Sequence, residues 1–198
     1  MNFSFHVYNK FAADGATLSI SRLLTHLSEQ KEKAKAKDSA FSAPPVIVCV
    51  GSDLVIGDSL GPIAGTLLKQ KTQGLNYFLY GTLSSPVTAK EIPYICKFLK
   101  ETHKNSPIIA IDAAVGNAGD IGLIRFLDEP LQPGAGANKN LAEIGDVSVL
   151  GIVAEKSAAN YSLLNTTRLR LVYSMAEIIS DGLANFLWNR LDKKAKNA

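Results

Sequence analysis

From residue 46 onward, short apolar runs alternate with stretches whose apolar residues recur every three or four positions. The run Val46-Ile47-Val48-Cys49-Val50 is continuous and mostly β-branched, which predicts a strand buried on both faces. Residues 59–71 read as a helix, with Ser59 at the N-cap and Pro62 tolerated in the first turn. Residues 75–80 predict a second strand, and 88–104 a helix in which Pro93 either makes a kink or marks the true start. Strands are expected at 107–111, 121–127 and 147–153. A closing helix is expected from about Thr166 to Arg190, where Leu169, Val172, Ala176, Ile179, Leu183 and Phe186 follow steps of three and four.

Upstream, residues 3–8 alternate weakly and fit an edge strand or an ordered arm, and Thr17–Glu29 fit a short amphipathic helix. Residues 30–45 are charged and small and end in Pro44-Pro45, as expected of a flexible linker. The expected organisation is an N-terminal extension over 1–45, an α/β body over 46–190 and a basic tail over 191–198. Strands alternating with helices predict a three-layer α/β/α sandwich around a mostly parallel, mixed sheet.

Composition narrows the class. The net charge of +3 comes from two lysine-rich stretches, around Lys31–Lys37 and Lys193–Lys196, and the remainder is near neutral. A basic face for nucleic acid is therefore not expected. No stretch reaches the ~20 apolar residues of a membrane span. Two cysteines, Cys49 and Cys96, make no disulfide framework, and no signal peptide is visible, so a cytoplasmic protein is expected.

Candidate chemistry lies where apolar strands end. Gly51, Gly57 and Ser59 superficially mimic a phosphate-binding loop, with five rather than four residues between the glycines, but Asp58 stands at the lysine position and would repel phosphate. Asp58 then either caps the helix or faces a ligand at the sheet edge where open α/β folds bind them. Ile109-Ala110-Ile111-Asp112 places a second carboxylate at an equivalent strand end. A convergent pair can share a proton, hold a metal or divide acid and base roles, and Asp112 read alone also fits a structural turn. Pro133-Gly134-Ala135-Gly136 reads as a surface loop or a lid, with Lys139 able to reach an anion. His6, His26 and His103 fall in no motif, and Asp53, Asp120, Asp146 and Glu155 read as loop carboxylates. Backbone N–H groups at the helix start near Ser59 are candidate oxyanion donors.

Gly51-Ser52-Asp53 through Gly57-Asp58-Ser59-Leu60-Gly61-Pro62, Ile111-Asp112-Ala113, Pro133-Gly134-Ala135-Gly136 and Gly145-Asp146-Val147-Ser148 resemble, in order, the motifs of the YyaC-type sporulation proteins. That family is similar to the spore germination protease and, more distantly, to the hydrogenase maturation endopeptidases. The resemblance implies a phosphorylase/hydrolase-like fold and an aspartate-dependent endopeptidase acting on a protein in sporulation or germination. It places Asp58 and Asp112 at the catalytic positions and Gly57, Ser59, Gly134 and Gly136 in substrate-binding loops. The maturation enzymes add a histidine that contacts nickel, and no histidine follows His103 here, so no metal ligand is assigned. The cofactor stays open, a divalent ion at Asp58 and Asp112 included. The expected partner is a protein or peptide substrate, with neither nucleic acid nor membrane. Two alternatives remain: a non-catalytic sporulation protein that keeps the fold and its acidic pocket, and a metal-dependent hydrolase of something smaller.

Overall fold

A computed structural model describes residues 1–33, 41, 43–134, 142–156, 164 and 166–196, the last five without their side chains. The strands are β1 (Asn2–His6), β2 (Val46–Cys49), β3 (Phe78–Tyr80), β4 (Ile108–Gly116), β5 (Leu123–Leu127) and β6 (Val147–Glu155). The helices are α1 (Ala12–Lys33), α2 (Leu60–Lys71), α3 (Ile92–Thr102) and α4 (Leu169–Lys196). The strands form one sheet in the order β1-β5-β6-β4-β2-β3. β3, β2, β4 and β6 run parallel, and β5 is antiparallel to both β6 and β1.

Side-chain alternation along the central strands separates two cores. Ile47, Cys49, Ile109, Ile111, Val147 and Val149 face α1, α2 and α4. Val46, Val48, Val50 and Ala110 face α3, together with Leu131 and Ile144. The architecture is the expected α/β/α sandwich around a mixed sheet. Among the described residues no helix is long and apolar enough to cross a membrane.

Several boundaries differ from the sequence reading. Pro93 is the second residue of α3, where its missing N–H costs nothing, so it starts the helix rather than kinking it. Residues 2–33, read as an extension, share the body's core. β1 pairs with β5 along its whole length, and α1 buries Ala16, Ile20, Leu23 and Leu24 with Phe126 and Leu183. Of the expected linker, residues 30–33 continue α1, while 34–40 and 42 lie outside the described residues. In the basic tail, residues 191–196 continue α4.

Gly51 and Gly61, on the connection from β2 into α2, fix how the helix meets the strand. A β-carbon on Gly61 would overlap the carbonyl oxygen of Val50, so only glycine lets the helix start against the strand end. Gly51 has a φ of 137°, and a β-carbon there would overlap the carbonyl oxygen of Asp58.

Candidate active site

β2 and β4 are adjacent and parallel, and their pairing extends to Val50, whose N–H bonds the carbonyl of Ile111 at 2.7 Å. Beyond that point β2 has ended, and its chain folds back over the sheet edge. Val55 accepts a bond from the Asp58 N–H at 3.0 Å, and the Asp58 carbonyl accepts one from Ser52 at 3.1 Å. Asp58 thus closes a short 3-10 turn, Ile56–Asp58, rather than starting a helix. The N-cap position of α2 is Ser59, yet no Ser59 side-chain bond caps the helix. Its hydroxyl donates to the carbonyl of Ile56 at 2.7 Å, and its own N–H bonds the same carbonyl at 3.2 Å. The Ser59 N–H is therefore not a free oxyanion donor.

Asp112 is not at a strand end. β4 continues to Gly116, and Asp112 sits within it, opposite Leu150 of β6. It stands one residue past the last β2 partner, so its strand neighbour on one side is gone while the other remains. Ile109 and Ile111 face the α1–α2–α4 core, so Asp112 projects from the opposite face.

On that face a cleft of about 760 Å³ is lined by Asp58, Asp112, Thr88, Leu131, Ser148 and Lys156, among others. The two aspartates meet very different surroundings there. Asp58 is half-buried. Asp112 is only 6% exposed, and one carboxyl oxygen accepts the Ala113 N–H at 2.8 Å. Among the described residues its other oxygen has no hydrogen-bond partner. Burial pushes the Asp112 carboxyl well above the usual carboxylate range, the charge of Asp58 pushes it further, and the Ala113 bond opposes both. The arrangement is one buried carboxyl that favours its proton beside a second, more accessible carboxylate.

The other expected site residues divide. Gly134 lines the cleft with Pro133, while Gly136 and Lys139 lie outside the described residues. The arm carrying Gly134 is anchored by paired bonds between Leu131 and Ile144, both 2.9 Å, and by Gln132 donating to Glu143 at 3.0 Å. Gly57 and Ser59 are buried and do not line the cleft; Gly57 packs against Leu164. No histidine lines the cleft: His26 bonds Asp128 at 2.8 Å, His103 bonds Tyr80 at 2.8 Å, and His6 lies beside the carbonyl of Ile121. Among the described residues no three His, Cys, Asp or Glu side chains gather as a metal would need. Asp146 bonds the Ile108 N–H at 2.8 Å and Lys31 at 3.2 Å, a structural role.

Thr88, Glu129, Glu143, Ser148 and Lys156 were not assigned to the site from sequence, yet all line it. Only Ser148 carried a signal, as a lone hydroxyl inside the apolar run Val147–Val153. The others sit in connecting segments whose folding over the sheet no local pattern encodes.

A family model described as protein of unknown function (DUF1256) matches residues 17–182. The chain is 40% identical over 163 residues to the uncharacterized protein YyaC of Bacillus subtilis, covering 82% of this chain and 76% of that one. Among solved structures, the NiFe hydrogenase maturation protease HycI of Thermococcus kodakarensis aligns with a TM-score of 0.49 at 17% identity, covering 76% of this chain and 97% of that one.

Proposed function

The chain belongs to the DUF1256 family, and for this member we propose an aspartate-dependent endopeptidase acting on a protein segment during sporulation or germination. One observation carries the reading: two carboxyl groups share one cleft, and burial and mutual charge favour a proton on Asp112. That asymmetry is what an acid–base pair needs, one partner to accept a proton and the other to give one.

In the proposed reaction Asp58 takes a proton from water as the water oxygen attacks the peptide carbonyl carbon. Asp112 gives its proton to the carbonyl oxygen, so no separate oxyanion donor at Ser59 is needed. The resulting diol collapses: one hydroxyl returns its proton to Asp112, the C–N bond breaks, and Asp58 passes its proton to the leaving nitrogen. Both groups end as they began.

The test is cleavage of denatured and native sporulation proteins by the wild type, Asp58→Asn and Asp112→Asn, with and without chelator, from pH 5 to 9. The reading expects cleavage that resists chelator, follows a bell-shaped pH profile belonging to the pair, and disappears in both variants. Loss with chelator and recovery with divalent ions would replace the proton-sharing pair by a metal site. A wild type that binds a partner at this cleft and cleaves nothing would make it a binding protein.

A further inference from the structure

Ser148 is a second buried polar group in the cleft, and the acid–base pair does not use it. Its residue is 1% exposed and lines the cleft, and no hydrogen bond to its hydroxyl is present among the described residues. Val147 and Val149 on either side face the α1–α2–α4 core, so the Ser148 side chain points to the opposite face, as Asp112 does. The register puts Ser148 beside Ala110 and Leu150 beside Asp112. Ser148 is therefore two residues deeper along the sheet than Asp112, ~6–7 Å by strand rise. A buried hydroxyl without a partner is costly, and natural cores rarely keep one without a use.

We propose that Ser148 is the floor of a substrate side-chain subsite beside Asp112 and that it selects a carboxamide, the side chain of Gln or Asn. The inference rests on the peptidase reading of the same cleft. Leu131 and Leu150, which line the same cleft, are apolar, and Leu150 flanks Asp112. A cationic end next to Asp112 would hold that carboxyl ionised and remove the proton the reaction uses. An anionic end would meet the charge of Asp58. A neutral group remains, and it must reach past Asp112 to the depth of Ser148, further than a serine or threonine hydroxyl extends. A carboxamide carries both donor and acceptor, so it can satisfy the Ser148 hydroxyl and the free Asp112 oxygen together. Ser148 is a specificity-determining residue and takes no part in bond breaking.

The test has two arms, each run on the wild type, Ser148→Ala and Asp58→Asn. In the first, N-acetyl-glutamine amide and the near-isosteric N-acetyl-methionine amide are compared by ligand-observed NMR. In the second, a degenerate peptide library is digested and its cleavage sites are read by mass spectrometry. The wild type is expected to favour the glutamine probe about fivefold, the worth of one hydrogen bond, and to cleave beside Gln or Asn. Ser148→Ala should lose or invert both preferences while melting at the same or a higher temperature, which a structural serine would not allow. Asp58→Asn should keep the binding preference and lose cleavage. Selective binding without any cleavage sinks the peptidase reading and leaves the subsite standing. Cleavage without side-chain preference, or a preference unchanged in Ser148→Ala, overturns the subsite.

Discussion

Gly61 lies directly against the carbonyl oxygen of Val50, where any β-carbon would overlap it. That contact presses the first turn of α2 onto the end of β2, and the Gly51–Asp58 loop has no other place to go than over the sheet edge. The position of Asp58 thus depends on a glycine three residues downstream that never touches the cleft.

Gly61→Ala should therefore act on both stability and the site. The added methyl meets backbone, which cannot rotate aside, so the cost is expected at about 2–4 kcal/mol, in the range of severe overpacking. Denaturant unfolding measures it. An alanine variant with wild-type stability would show that α2 is not seated as tightly as described.

Much of this arrangement was legible in the sequence. Val46–Val50 and Ile109–Ile111 are unbroken apolar runs that only a doubly covered strand can bury; β2 and the start of β4 fall within a residue of the expected bounds, while β4 runs five residues past its expected end at Ile111. The apolar run that stops at Ile111 suggests a strand end at Asp112, since a carboxylate normally leaves the sheet. The Asp112 carboxyl instead stays inside, its pairing with β6 intact, and burial favours its proton. The segment before residue 34 reads as an extension because Phe3, Phe5 and the spaced leucines of α1 give a weak local pattern. Their partners, Phe126 and Leu183, lie more than a hundred residues away. The residues around the two aspartates were hidden for the same reason: Thr88, Glu129 and Glu143 reach the cleft only through tertiary folding.

Removal of residues 1–33 should abolish cooperative folding. Ile20, Leu23 and Leu24 are buried in the main core, and α1 and α4 also share a bond from Thr17 to the carbonyl of Gly182 at 3.2 Å. Each large side chain contributes about 1.5–3 kcal/mol, so their joint loss approaches the whole stability of a domain, about 5–15 kcal/mol. Circular dichroism of the truncated chain, with thermal melts, checks this. A sharp transition would mean that the α/β body stands alone.

Asp112 should also set a pH dependence of stability. Its folded carboxyl holds its proton to higher pH than the unfolded one, so the native state binds more protons above about pH 3.9, the unfolded value. The stabilising contribution is complete below that pH and is lost as pH rises through the folded value. Asp112→Asn keeps an oxygen for the Ala113 N–H and cannot ionise. At pH 7 it should melt a few degrees above the wild type, since ~1 kcal/mol moves a chain of this size by ~2–4 °C. The gap should shrink as pH falls toward 4. A constant gap would mean that Asp112 titrates alike in both states.

The coupling of the two carboxyl groups can be measured without a substrate. Carbon-13 NMR titration of the Asp112 carboxyl, in the wild type and in Asp58→Asn, reads it directly. The wild-type midpoint should lie well above the ordinary carboxylate range. In Asp58→Asn the midpoint should fall but stay elevated, because burial is the larger cause and Asp58 the smaller. A wild-type midpoint in the ordinary range, or one that Asp58→Asn leaves unmoved, would contradict the pair.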